Sequence, residues 1–135
     1  ASHDASDNMI EFLLTSHKSY VDEVQQLVDA EIGVKALAHI TGGGLFENVP
    51  RVLPEGLGAA FDLDSWSVPD HFRQLVEWGE LTDDEAFRVW NMGVGMVVVA
   101  GVSDLDRIQA GPHQVIGEIV ANTSGDRVSL RGDWR

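Results

Sequence analysis

HITGGGLFENVPRVLP, residues 39–54, sets three consecutive glycines between a short apolar run and a segment of helical composition. A glycine held in a fold forfeits more backbone entropy than any other residue. Three together therefore mark a bend that other residues resist, or a backbone that must approach something closely. Upstream, VKALAHI (residues 34–40) is short and apolar and reads as a mostly buried strand delivering its last residues to the loop. Downstream, Pro50 and Pro54 restrict LFENVPRVLP to a short helix or helical turns that do not run far past Val49. Strand, glycine loop and helix in succession begin the alternation that decides the fold class.

Before this stretch, Tyr20, Val24, Leu27 and Val28 fall at i, i+4, i+7 and i+8 and predict a helix over roughly 18–31, ended by Gly33. MIEFLLTSHKSY, ahead of it, reads as a short ordered arm of undecided type. After it, LGAAFDL (57–63) is a second strand. Ser67 with Asp70 and Thr82 with Glu85 have the spacing of capping boxes, opening helices to about Gly79 and through Trp90. Phe72, Leu75 and Val76 give the first a buried face, and Phe87 and Trp90 the second. GMVVVAG (95–101) lacks polar alternation and is expected centrally in a sheet. SDLDRIQA reads as a short capped helix, and HQVIGEIVA and DRVSLRG as an antiparallel hairpin around NTSGD. The expected class is α+β, a mixed β-sheet flanked by helices.

The 135 residues and 44% hydrophobic content suit one domain with a real core. A net charge of −13 repels nucleic-acid phosphates and anionic lipid headgroups, so neither is an expected partner. Any anionic ligand must be caught locally by backbone donors or a few placed cations. Without cysteine there are no disulfides or thiolate metal sites, which is compatible with a reducing cytosol. His3, His17, His39, His71 and His113 are scattered, with no i, i+4 pair and no HExxH, so no metal ligand set is predicted. The apolar run Met92–Val102 falls short of the ~20 residues of a membrane span, and a soluble, cytoplasmic domain is expected. ASHDASDN reads as a polar lead-in, so residues 1–12 are expected to be a lead-in or interdomain linker and 13–135 the domain.

The glycine loop has two readings. Its N–H groups can converge on an anion, most simply a phosphate, aided by the positive end of the following helix, or it is a tight corner that permits close packing. It has neither the lysine of GxxxxGK[ST] nor the spacing of GxGxxG. His39 is either a hydrogen-bonded core residue or a donor facing a ligand beside Thr41, and Glu47 and Asn48 are either cap and solvent residues or part of the same crevice. In WNMGVGM, Asn91, Gly93 and Gly95 either carry substrate contacts or make a bulge. The four tryptophans lack interleaved basic residues and read as core and interface mass.

LLTSHKSYV, AHITGGGLFENVPRVLP, DSW before a capped helix, and NMGVGMVVV occur in the order and at about the spacing found in the C-terminal half of the phosphoribosylformylglycinamidine cyclo-ligase (AIR synthetase) family. The resemblance spans roughly Leu13 to Gly101. It departs at Ser16, where the family usually has proline, and the tail LRGDWR matches nothing in it. The resemblance implies an ATP-dependent ligase of purine biosynthesis that makes 5-aminoimidazole ribonucleotide from formylglycinamidine ribonucleotide, ATP and magnesium. It also implies an N-terminal half, absent here, that carries most of the ATP and magnesium contacts and forms the dimer, leaving this piece inactive alone. By resemblance, the backbone of Gly42, Gly43 and Gly44 approaches a phosphate, and His39, Thr41, Glu47 and Asn48 shape the cleft facing the missing half. His39 is the candidate catalytic residue. Asn91, Gly93 and Gly95 make a second wall, with Thr15 near the cleft mouth. The alternatives are another ATP-using member of the superfamily (formylglycinamidine ribonucleotide synthetase, selenophosphate synthetase or thiamine-phosphate kinase) and a non-catalytic regulatory module. The full HITGGGLFENVPRVLP run favours the cyclo-ligase.

Overall fold

Around the glycine loop the chain folds as its composition indicates. In the computed structural model, which describes residues 7–122 and 125–135, β1 (Val34–His39) ends on His39 and α3 (Gly44–Asn48) starts on the third glycine. Pro50 stops α3 and opens a 3-10 turn, Pro50–Val52. Two further helices precede β1. These are α1 (Asp7–Leu14) and α2 (Val21–Asp29), the latter burying Leu27. Residues 7–12 are thus helical where a linker was expected, and residues 1–6 lie outside the described ones. Gly33 does not end α2. The chain turns at Glu31, whose φ is +54°, and the Gly33 N–H instead donates to the Asp104 carboxylate at 3.1 Å.

After β2 (Leu57–Asp62) come α4 (Asp70–Gly79) and α5 (Asp83–Val89). The Thr82–Glu85 capping box forms in full: the Thr82 hydroxyl accepts from the Glu85 N–H, and the Glu85 carboxylate accepts from the Thr82 N–H at 3.0 Å. The Ser67–Asp70 box does not form, because Pro69 occupies the cap and Ser67 lies upstream of it. β3 (Met96–Ala100), α6 (Leu105–Gln109), β4 (Gly117–Ala121) and β5 (Val128–Arg131) complete the chain. No side chain caps α6. Asp104 at its cap bonds Gly33 and Arg107 instead.

The strands form two sheets, which corrects two expectations. β3 is not central. Among the described residues it pairs only with β1, antiparallel, with Leu37 opposite Val98 and His39 opposite Met96. The last two strands are not a hairpin: β2 lies between them, antiparallel to β4 and parallel to β5. With a strand on each edge, β2 is buried from Gly58 to Phe61. Thr123 and Ser124 of the expected turn lie outside the described residues. The class remains α+β, with sheets and helices around one core in which Phe87, Ile40, Leu45, Met92, Val49 and Val68 are fully buried.

The tail LRGDWR sends Trp134 into that core. Trp134 is 4% exposed and packs edge-on against Phe87, with ring centroids 6.0 Å apart. Arg73 lies over the Trp134 ring and donates to its carbonyl oxygen at 2.6 Å.

α1 docks through aromatic contact, with Phe12 stacked on His71 at a centroid distance of 3.3 Å. The His71 Nε2 is buried and has no hydrogen-bond partner among the described residues. Burial pulls the His71 pKa below the usual histidine value, with Asp70 opposing. Folded His71 therefore binds a proton more weakly than the unfolded chain does. Its contribution to stability is present above the unfolded value of ~6.5 and is lost as pH falls through that value and then through the depressed folded one. The expected result is a melting temperature that drops between roughly pH 7.5 and 5.5 by more in the native protein than in His71→Phe, read by circular dichroism. Equal drops in the two proteins count against this role.

Candidate functional site

The three glycines do different things. Gly44 is buried, has φ +54°, and lies against the end of α5, so it is a packing glycine. Gly43, at φ +92°, has the Glu47 side chain where a Cβ would stand, with Oε2 at 2.5 Å. Gly42 has nothing within 4 Å of its Cβ position and is exposed. The Gly44 N–H donates to the Thr41 carbonyl at 3.1 Å, whereas the amides of Gly42 and Gly43 have no hydrogen-bond partner among the described residues. The packing reading thus holds at Gly44, while Gly42 leaves its amide toward open space. At five residues, α3 is too short to add much of a dipole to the loop.

Asn48 is 6% exposed and faces inward. Its amide donates to the carbonyls of Gly44 at 2.8 Å, Gly42 at 3.2 Å and Thr41 at 3.4 Å, and its oxygen accepts from the Thr41 hydroxyl at 3.4 Å. It holds the loop carbonyls below, which leaves the amides to point elsewhere. Glu47 is exposed and meets Arg51 at 3.5 Å. His39 is exposed and belongs to no core.

His39 has company that its sequence neighbourhood does not reveal. His17 approaches it, with the two Nε2 atoms 3.3 Å apart, and Tyr20 lies edge-on to both rings at 6.3 Å. Lys18 pairs with Glu23 at 2.7 Å, a hydrogen bond that raises the lysine pKa and holds the glutamate below the usual carboxylate range. Thr15 closes α1 by donating to the Glu11 carbonyl at 2.9 Å.

The second glycine corner adjoins the first through the Ile40 N–H, which donates to the Gly95 carbonyl at 2.9 Å. Its side chains serve the turn: the Asn91 oxygen accepts from the Gly93 N–H at 3.1 Å, and a Cβ on Gly93 would stand 2.6 Å from Pro69. On Gly95 a Cβ would overlap the Tyr20 hydroxyl. Gly93 and Gly95, with Tyr20, Trp66, Val98 and Ile119, line a groove of about 1010 Å3 between the two sheets, but His39 and residues 42–44 are not part of its lining.

Two residues escaped the sequence reading. His17 carries no local signal, since its partner is 22 residues away. Arg127 donates to the carbonyls of Leu57, Pro50, Leu53 and Pro54 at 2.6–3.1 Å, bracing the segment after the glycine loop from 70 to 77 residues downstream.

A family model described as AIR synthase related protein, C-terminal domain, matches residues 13–128. A phosphoribosylformylglycinamidine cyclo-ligase of Alkaliphilus oremlandii is 43% identical over 116 residues, covering 82% of this chain and 34% of that protein. One of Methylobacillus flagellatus is 46% identical over 113 residues (79% and 32%), and the chloroplastic/mitochondrial protein of Vigna unguiculata is 44% identical over 118 (84% and 30%). The chain therefore spans about a third of the length of these relatives. Among solved structures, E. coli HypE, a hydrogenase maturation protein, matches with a TM-score of 0.63 at 25% identity, over 93% of this chain and 40% of that one.

Proposed function

Because this chain belongs to the family of AIR synthase related proteins, as their C-terminal domain, we propose that it supplies one wall of the substrate and nucleotide cleft of a phosphoribosylformylglycinamidine cyclo-ligase. In the proposed reaction ATP phosphorylates the amide oxygen of formylglycinamidine ribonucleotide, turning a poor leaving group into a good one. The substrate's own nitrogen then attacks the activated carbon. A C–N bond forms, phosphate leaves, and the products are 5-aminoimidazole ribonucleotide, ADP and phosphate. Holding the two ends together and neutralising charge on the phosphoryl group supply the acceleration.

The observation that carries this reading is the pair of amides at Gly42 and Gly43 without a hydrogen-bond partner among the described residues, the first beside open space, on the loop that follows the exposed His39. On an acidic chain these are donors that an oxyanion can meet. In this proposal His39 and Thr41 donate alongside them, Glu47 stands at the rim, and Asn48 works from beneath by fixing the loop. Asn91, Gly93 and Gly95 hold the adjoining corner, and Thr15 lies toward the mouth. Magnesium needs several oxygen ligands, and among the described residues no three His, Asp or Glu side chains converge. We therefore assign magnesium and most ATP contacts, the dimer contacts and a cytoplasmic setting to the whole enzyme, and expect no turnover from this chain alone. The cyclo-ligases at 43–46% identity, against 25% for HypE, favour this assignment over another branch of the superfamily.

Calorimetric titration with formylglycinamidine ribonucleotide tests it. The expected result is a saturable heat, with affinity lowered ~10-fold or more in His39→Ala and the thermal melt unchanged, because His39 is exposed. No heat from the native chain at about millimolar ligand overturns the cleft-wall reading in favour of a non-catalytic module.

A further inference from the structure

We propose that His17 and His39 form a site for a borderline divalent transition ion of the zinc, nickel and copper class. Their Nε2 atoms are 3.3 Å apart. Two imidazole nitrogens bound to one tetrahedral zinc at 2.0–2.1 Å stand about 3.3–3.4 Å from each other, so the rings are already at the required separation.

The tautomer of His17 supports this. Its Nδ1 lies 2.9 Å from the Lys18 carbonyl oxygen, which can only accept, so Nδ1 carries the proton and the Nε2 lone pair is directed at His39. A histidine ligand is held in this way in metal sites, with its second nitrogen fixed by a backbone carbonyl. On His39 the proton moves to Nδ1 when the metal takes Nε2, so the ion replaces the hydrogen bond between the rings. Both rings are exposed and are braced by Tyr20, while the neighbouring Lys18 ammonium is engaged by Glu23. His39 lies opposite Met96 in the β1–β3 register, which places a half-buried thioether at the neighbouring strand position. Among the described residues no third His, Asp or Glu completes the set, so the remaining coordination positions fall to water or an anionic ligand. Imidazole nitrogens are borderline donors that magnesium, which takes hard oxygen ligands, does not prefer, and this separates the site from the nucleotide-bound metal of the proposed reaction.

The test is a titration of the chain with zinc chloride near pH 8, followed by calorimetry and by the imidazole resonances in NMR. One zinc per chain is expected, shifting the signals of His17 and His39 together, with a melting temperature raised by ~3 °C or more at saturation and no response to magnesium. His17→Ala is expected to weaken zinc at least ~10-fold while leaving the metal-free melt unchanged. Zinc bound equally by the native chain and His17→Ala, or no saturable binding at all, overturns the proposal. Because no nucleotide or ribonucleotide is present, neither result bears on the cleft-wall reading.

Discussion

Gly44→Ala is expected to lose about 4 kcal/mol or more of stability, enough to unfold a domain of ordinary marginal stability. The new Cβ would fall on the carbonyl oxygen of Phe87 and stand 2.7 Å from that of Trp90, and neither belongs to a flexible side chain. These are the carbonyls at the end of α5, and moving them displaces Phe87, which is fully buried. The φ of +54° adds roughly 1–2 kcal/mol for any residue with a Cβ. Gly42→Ala is the control. It meets nothing within 4 Å and lies outside the positive-φ region, so its urea midpoint is expected to stay within ~0.5 kcal/mol of the native one. Equal midpoints for the two variants would show that the loop is looser than its packing indicates.

Arg127→Ala is expected to cost about 3 kcal/mol. The guanidinium joins four backbone carbonyls, those of Pro50, Leu53, Pro54 and Leu57, of which Pro50 and Pro54 also accept from the Leu53 and Leu57 N–H groups at 3.3 Å. Two prolines in this segment also remove backbone donors that could otherwise tie it down. A lysine offers a point charge without the fork, so Arg127→Lys should recover less than half of the loss in a denaturant titration. Full recovery by lysine would reduce the role to charge alone. The effect is also expected to reach the glycine loop, since the braced segment follows α3 directly.

Much of the site was legible because it is local. The strand into His39, the bend at the glycines and the short helix stopped by Pro50 all follow from residues within a few positions of one another. So does the capping box at Thr82, whose partners are three residues apart. The box expected at Ser67 failed for an equally local reason: Pro69 took the cap. Which glycine serves packing and which faces open space was not legible, because that depends on α5, some 40 residues further along the chain. Nor was it legible that Asn48 turns inward to bond the loop.

From its own order of residues the chain determined where elements begin and end, since caps, prolines, glycines and apolar spacing act over a turn or two of backbone. Tertiary structure alone decided that β2 separates β4 from β5, that β3 pairs with β1, that Trp134 enters the core, and that His17 meets His39. Those outcomes depend on which buried surfaces and unpaired backbone groups satisfy one another across tens of residues, and such contacts leave no periodicity in the sequence to read.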